Sequence, residues 1–365
     1  ILEYCPKGLV ACISPWNFPL AITLGQIAAA LVTGNTVIAK ASEETSLTAF
    51  KAATLFFNHG LPKDALHLLL GDGRVGQAII TSQALDLVVF TGSLKTAKSI
   101  HNSLSNKPGK IVPLIAETGG LNSMVVDSSA LIERACDDIM RSAFNSAGQR
   151  CSALRLLLVH ETIYEELILM LKGMMSELIV GNPSNSSVDM GPIISVEAAQ
   201  ELYDYLDKPD PERLAIFQPQ APDEHRKKWF LPTLIELKSI NTLNEEKFGP
   251  ILHVLKFTEE TLDSNLAQIT DKGFGLTFGI HTRIDAKAIH TSKLVSAGNT
   301  YINRDIIGAV VESQPFGGKN LSGTGFKAGG PNYLMQFTDE RTISINTVAI
   351  GGNAELLNQA SEDTP

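Results

Sequence analysis

A cysteine among small and polar neighbours, Gly148-Gln149-Arg150-Cys151-Ser152, and a carboxylate beside two glycines, Glu117-Thr118-Gly119-Gly120, are the residue types that acyl chemistry needs. A thiolate attacks a carbonyl carbon, and a carboxylate activates the water that releases the product. Small neighbours let a carbonyl approach the thiol, and Arg150 is a cation able to favour the thiolate. Each residue also has a plainer reading. Most cysteines are packing residues, as Cys136 is by its setting in Arg134-Ala135-Cys136-Asp137-Asp138, and Cys5 and Cys12 with it. Glu117 ends the apolar run Ile111-Val112-Pro113-Leu114-Ile115-Ala116, where an acid is costly without a role or a salt-bridge partner. Asn17, in Pro15-Trp16-Asn17-Phe18-Pro19, offers an amide N–H to an oxyanion or simply shapes a turn.

Nucleotide-binding signals lie nearby. Gly71-Asp72-Gly73-Arg74-Val75-Gly76 has the G-x-G-x-x-G form between a strand and a helix. The acid expected at the end of the next strand is missing, and Asp86 comes too early, so a tight turn with close helix packing is the stronger reading. Lys40 ends a strand with Glu43 three residues on, a donor and an acceptor for ribose hydroxyls or else a solvated pair. Ser93, in Thr91-Gly92-Ser93, either directs N–H groups at a phosphate or caps a helix.

The elements that must position these groups follow from periodicity. Strands are expected over residues 8–14, 36–40, 66–70 and 85–90, with helices through 26–31, after a cap at Ser42 or Thr45, and over 75–82 and 94–104. This alternation predicts an α/β protein with a parallel sheet and ligands at the carboxyl ends of its strands. After Gly120 the pattern restarts. An amphipathic helix over 131–147 carries Ile132, Ala135, Ile139, Ala143 and Ala147 on one face. A strand over 154–159, a helix over 163–178 and strands over 252–257 and 298–303 follow. Residues 206–230, rich in Pro and charge, read as a surface excursion, 316–330 as a glycine-rich stretch, and 342–346 as an edge or oligomerisation strand.

The 365 residues, 44% hydrophobic and 19% charged, suit a folded chain of two or more domains. A net charge of -9 offers no footprint for nucleic acid and no polybasic stretch for a membrane. Four cysteines without Cys-x-x-Cys spacing read as reduced thiols of a cytoplasmic protein. The histidines are scattered, so no metal site is expected. Ile1-Leu2-Glu3-Tyr4 reads as the middle of a strand, and the chain is expected to begin inside a larger protein.

In order and spacing, Pro15-Trp16-Asn17-Phe18-Pro19, Lys40-x-x-Glu43, Phe90-Thr91-Gly92-Ser93, Glu117-Thr118-Gly119-Gly120, Gly148-Gln149-Arg150-Cys151, Glu246-x-Phe248-Gly249-Pro250 and Pro315-Phe316-Gly317-Gly318 resemble the aldehyde dehydrogenase superfamily over nearly the whole chain. Ala41-Ser42 stand where that family more often has Pro-Ala. The segments 113–120, 146–155, 322–331 and 346–354 resemble the family's proline-catabolic branch, the dehydrogenase half of bifunctional proline utilization A proteins.

The resemblance implies a Rossmann-like NAD-binding domain over 1–119, incomplete at its amino end, an α/β catalytic domain over 120–336 and an oligomerisation tail over 337–365. It implies oxidation of L-glutamate γ-semialdehyde, derived from Δ1-pyrroline-5-carboxylate, to L-glutamate with NAD. Cys151 is the implied nucleophile, Asn17 the oxyanion donor and Glu117 the hydrolytic base. Lys40, Glu43, Trp16, Ser14, Gly92, Ser93, Gly76, Glu246 and Phe248 are implied at the cofactor. Ser152, Arg150, Phe18, Ser322, Gly323 and Thr324 are implied at the substrate, with Phe326 an alternative wall. It further implies a homo-oligomer, a parent that touches the inner membrane only peripherally, and a proline dehydrogenase domain with FAD elsewhere in the parent polypeptide.

Overall fold

The computed structural model describes residues 1–219, 227–310 and 312–346. After β1 (Leu2–Pro6), the first half runs β2 (Leu9–Ser14), α1 (Ala21–Val32), β3 (Thr36–Ala41), α2 (Ser46–Asn58), β4 (Leu66–Leu69), α3 (Gly73–Thr81), β5 (Leu87–Thr91), α4 (Leu94–Ser105) and β6 (Leu114–Glu117). Its sheet has the order β4-β3-β2-β5-β6, with every neighbour parallel. Both faces are apolar, as a parallel sheet covered by helices requires. Val10, Cys12, Val37 and Val89 meet Ile27 and Ala30 of α1, while Ala11, Ile13, Val88 and Phe90 meet Ile79, Ile100 and Leu104 of α3 and α4.

Chain direction across this sheet reverses between β2 and β5, which opens a crevice at their carboxyl ends. The register places Ile13 beside Lys40 and beside Phe90, and Thr91 beside Glu117. Ser14, Lys40, Thr91 and Glu117 therefore share one edge. Strand β5 starts two residues later than periodicity suggests; just before it, Asp86 donates its N–H to the Leu9 carbonyl at 2.9 Å, and its carboxylate, in place of a backbone carbonyl, accepts the Leu9 N–H at 2.8 Å.

The second half runs β7 (Ser123–Val126), α5 (Ile132–Phe144), β8 (Leu156–His160), α6 (Tyr164–Glu177), α7 (Val196–Asp207), β9 (Arg213–Phe217), β10 (Thr233–Leu237), β11 (Ile251–Phe257), α8 (Leu262–Asp271), β12 (Phe274–Gly275), β13 (Thr277–His281), α9 (Asp285–Leu294), β14 (Asn299–Ile302), β15 (Lys319–Asn320) and β16 (Thr338–Thr342). Seven strands form the order β14-β13-β7-β8-β11-β10-β9, parallel except for β9. Its core packs α5 and α6 against the sheet through Ile139, Ala143, Leu167 and Leu171.

Three expectations are corrected. The helix over 131–147 stops at Phe144, because Ser146, Ala147 and Gly148 take left-handed φ values of 57°, 54° and 64°. The excursion over 206–230 contains the edge strand β9, and Phe230 is fully buried; residues 220–226 lie outside the described part. The strand over 342–346 lies at 338–342 instead and pairs antiparallel with β1, Leu2 opposite Thr342. The expected tail beyond residue 346 lies outside the described residues. Among the described residues no helix is long and apolar enough to cross a membrane.

Candidate active site

The turn that ends α5 delivers the cysteine. Gly148 is required there, since a Cβ would fall 2.2 Å from the Gly249 carbonyl oxygen, and its φ is left-handed as well. Gln149 fixes the loop by accepting the Ile194 N–H at 2.8 Å and donating to the Pro192 carbonyl at 3.2 Å. Asn122, buried after β6, donates to the carbonyls of Cys151 (2.7 Å) and Ala153 (2.9 Å) and accepts the Thr277 N–H. From the other half, the Asn17 amide donates to the Gln149 carbonyl at 3.1 Å, which brings the candidate oxyanion donor to the cysteine loop.

Burial pushes the Cys151 thiol up to about 12, and the Glu246 and Glu117 carboxylates add to that. The Ser152 N–H and Arg155 oppose them. The resting Cys151 side chain is therefore a thiol. Two cations face the thiol: the buried Arg155 draws it down, and Arg150, named from the sequence, is also coupled to Cys151 by charge. Arg150 donates to the Ser146 hydroxyl at 3.0 Å and lies 5.6 Å from the Phe18 ring centre, so it stands at the approach to the thiol with an aromatic wall.

Glu117 closes β6. One oxygen accepts the Gly318 N–H at 2.9 Å. Burial pushes the carboxyl up to about 8, against the Gly318 N–H and Lys327, which draw it down. A carboxyl poised near neutrality suits a general base. Gly323 lies against it: a Cβ there would sit 2.9 Å from both carboxylate oxygens.

The three residues expected to anchor a substrate carboxylate brace this strand. Ser322 accepts the Gly275 N–H at its hydroxyl and the Thr118 N–H at its carbonyl. Thr324 accepts the Ala116 N–H and donates to the Leu114 carbonyl through its hydroxyl. Gly323 bridges Glu117 in antiparallel fashion. The Thr324 hydroxyl thus both accepts from and donates to backbone, while the Ser322 hydroxyl accepts from backbone and keeps its own O–H. Ser152, buried next to the thiol, remains at the site.

Between the halves lies a cleft of about 1120 Å³ whose walls include Trp16, Glu43, Gln149, Glu246 and Phe248. Trp16 meets Phe248 edge to face at 5.7 Å. The Lys40 ammonium stands 3.2 Å from Glu43; Lys40 is buried and Glu43 half-exposed, so the acid faces the cleft. Glu43 is held below its usual range by a backbone N–H at the helix start and by Lys40, with burial opposing them. Glu246 receives both the Nε and Nη2 of Arg155, at 3.2 and 2.9 Å. Its other oxygen takes the place a Cβ on Gly119 would need, at 1.7 Å. The cleft thus has an apolar aromatic wall flanked by carboxylates at two separate points, and residues of these types fit a dinucleotide with two riboses.

Other expected cofactor residues have local duties. The Ser14 hydroxyl is buried against that of Thr23 at 2.7 Å, so only its backbone borders the crevice. Ser93 caps α4 by accepting the Thr96 N–H at 3.2 Å. Gly92 is needed because a Cβ would fall 2.6 Å from the Phe90 ring. In the Gly71–Gly76 loop, Gly71 has a φ of 144° and abuts Val75, and Asp72 accepts the Arg74 N–H at 2.9 Å. A carboxylate occupies that helix N-terminus, which favours the tight-turn reading over a pyrophosphate site. No atom lies within 4 Å of a Cβ on Gly76.

Sequence reasoning missed Asn122, Arg155, Gly318 and Lys327. Arg155 left a signal: an arginine inside Ala153-Leu154-Arg155-Leu156-Leu157-Leu158 needs a buried anionic partner. The other three act across more than 25 positions and leave none.

A family model described as the aldehyde dehydrogenase family matches residues 1–343. The bifunctional protein PutA of Klebsiella aerogenes is 44% identical over 346 residues, covering 92% of this chain and 26% of that protein. The 1-pyrroline-5-carboxylate dehydrogenase of a Geobacillus species is 35% identical over 348 residues, covering 93% of this chain and 67% of that protein. A crystal structure of a point mutant of Bradyrhizobium japonicum proline utilization A superposes with a TM-score of 0.92 at 48% identity, over 96% of this chain and 36% of that one. The chain thus spans about a quarter of the length of the PutA relatives it matches.

Proposed function

The chain belongs to the aldehyde dehydrogenase family, and from that premise we propose that it oxidises L-glutamate γ-semialdehyde, formed from Δ1-pyrroline-5-carboxylate, to L-glutamate with NAD as acceptor. The observation that carries this reading is that the Asn17 amide bonds the cysteine loop at Gln149 while Glu117, pushed up by burial, acts on Cys151 through its charge. The substrate is taken from the relatives that are 1-pyrroline-5-carboxylate dehydrogenases.

In the proposed sequence, the Cys151 thiol gives its proton to solvent water, and the resulting thiolate attacks the aldehyde carbon as the carbonyl π bond opens onto its oxygen. The oxyanion is held by the Asn17 amide and the Cys151 N–H, groups fixed before the reaction. NAD, when bound, supplies the hydride acceptor. Lys40 and Glu43 hold its adenosine ribose, Glu246 its nicotinamide ribose, and Trp16 and Phe248 wall its path. The Glu43 carboxylate repels a 2′-phosphate and so favours NAD over NADP. Loss of hydride leaves a Cys151 thioester. Glu117 takes a proton from water, the water oxygen attacks the thioester carbon, the C–S bond breaks, and glutamate leaves. Arg150, above Phe18, receives the substrate carboxylate with Ser152. The chemistry belongs to the second step of proline breakdown, after a proline dehydrogenase that we place in the same parent polypeptide.

The test is NADH formation from pyrroline-5-carboxylate. Cys151→Ala is expected to abolish it, and Glu117→Gln to leave about one NADH per site followed by a stall. Full turnover by Cys151→Ala overturns the mechanism. Calorimetric binding of NAD without any NADH from the unaltered chain identifies a silent nucleotide-binding module instead.

A further inference from the structure

Glycine-rich residues 316–328 double back over Glu117. Phe316 and Ala328 exchange backbone hydrogen bonds of 3.0 and 2.9 Å, which holds residue 327 beside Gly317. The point a Cβ on Gly317 would occupy lies 3.0 Å from a Glu117 oxygen and 3.1 Å from the Lys327 Cγ. The missing side chain therefore allows the carboxylate and the lysine stem to approach each other. The Lys327 ammonium is tied to the Gly298 carbonyl, and Gly298 itself packs against Gly317, 1.9 Å from a Cβ position to the Gly317 oxygen.

Other groups around Glu117 do not supply a positive charge directly. Thr91 is its register partner, Gly318 donates its N–H, and the buried phenol of Tyr333 and the Cys151 thiol face it as neutral acids. Glu246 lies across the thiol with its charge countered by Arg155.

We propose that Lys327 is a positioning residue that sets the charge of Glu117 and hence the pH at which the acyl-enzyme is hydrolysed. The proposal rests on the reading of Glu117 as hydrolytic base. Lys327 makes no ion pair with Glu117, but its charge acts on the carboxylate from beside Gly317 and favours the ionised form, so its loss moves the acid limb of hydrolysis to higher pH. Arg150 and Arg155 serve the thiol side of the pocket, and Lys327 serves the water side.

The test compares Lys327→Gln, which keeps a donor for the Gly298 carbonyl, with Lys327→Arg, which keeps the charge. Steady-state turnover is followed between about pH 6 and 9, with the pre-steady-state NADH burst beside it. Lys327→Gln is expected to raise the midpoint of the acid limb by about one pH unit, roughly a tenfold loss below that limb, with the burst retained. Lys327→Arg is expected to restore the profile. A glutamine variant with the unaltered profile, or an arginine variant shifted like it, overturns the proposal. Circular dichroism melts check folding, and Lys327→Met is read in the same way if the glutamine variant does not fold. Glu117→Gln, run in parallel, separates the two levels. Sustained turnover in Glu117→Gln removes the base itself, whereas a stall there with an unshifted lysine variant removes only the lysine assignment.

Discussion

Arg155→Met is expected to be among the most destabilising single changes in this fold, and the loss is expected to depend on pH. Arg155 is 1% exposed and donates to one Glu246 oxygen twice, at 3.2 and 2.9 Å, to the Gly249 carbonyl at 2.9 Å and to the Arg150 carbonyl at 3.1 Å. Its guanidinium also sits 5.4 Å from the Phe248 ring centre. Methionine keeps much of the stem and removes all four bonds. Leaving one member of a buried ion pair alone costs about 3–5 kcal/mol. Each orphaned carbonyl adds about 1 kcal/mol, less where a water reaches it. A loss of about 5 kcal/mol is the working figure.

Protonation of Glu246 relieves part of this. Burial pushes that carboxyl up and Arg155 draws it down, so without Arg155 it rises further. The loss then grows as pH climbs from the present value of Glu246 to the higher one, and is smaller at about pH 5 than at about pH 8. Urea denaturation followed by tryptophan fluorescence measures it, and Trp16 reports directly because it packs on Phe248. Adding Glu246→Gln to Arg155→Met is expected to recover about 2 kcal/mol, since the stranded charge is gone. A loss below about 1 kcal/mol, or one equal at both pH values and unchanged by Glu246→Gln, refutes the reasoning.

Gly119→Ala places a Cβ 1.7 Å from a Glu246 oxygen and is expected to weaken NAD binding about tenfold or more, read by calorimetry; an unchanged dissociation constant argues against Glu246 as a ribose ligand. Asn122→Leu strands the Cys151 and Ala153 carbonyls and the Thr277 N–H, for a loss of about 3 kcal/mol in denaturation and a smaller NADH burst; a normal burst at normal stability would mean that the loop holds itself. Burial raises Asp127, but Lys287, Ser129 and Thr282 outweigh it and bring the carboxyl down to about 2. Such a group adds stability above its unfolded value near 3.9 and loses it as pH falls toward about 2, so Asp127→Asn is expected to flatten the acid limb of stability in that window.

How much of this was legible in the chain depends on how far apart the partners are. The parallel strands were readable because Val10 to Ile13 and Leu87 to Phe90 are apolar on both faces, and the site residues end them. Lys40, Thr91 and Glu117 could thus be placed at one sheet edge before any coordinates. The end of α5 was not readable. Ala143 and Ala147 are both buried, so the helical apolar pattern continues past Phe144 while the backbone has already turned left-handed. Strand β16 was displaced because its polar sequence Thr338-Asp339-Glu340-Arg341-Thr342 carries no apolar alternation; its partner β1, more than 330 positions away, defines it. Hydroxyl partners were hidden for the same reason. Ser322 and Thr324 show no partner in sequence, and only the return of that segment gives their hydroxyls backbone partners, the Gly275 N–H for Ser322 and Ala116 and Leu114 of the β6 strand for Thr324.

The glycine pair after Glu117 shows why a motif can be recognised before its physics is. Gly119 has no visible reason in its own neighbourhood. Its reason is Glu246, 127 positions later, whose carboxylate fills the space of the absent Cβ. Gly120 likewise makes room for Asn122 and Ser322, at 2.8 and 3.4 Å from its Cβ position. Asn122 in turn holds the carbonyl of Cys151. A single short segment thus seats Glu117, makes room for the Glu246 carboxylate at the cleft and carries the side chain that holds the Cys151 carbonyl. On the proposed mechanism, displacement of that segment disturbs hydride transfer and hydrolysis together, and Gly119→Ala and Asn122→Leu separate those effects because each alters a different contact of the segment, while Lys327→Gln alters only the charge that acts on Glu117.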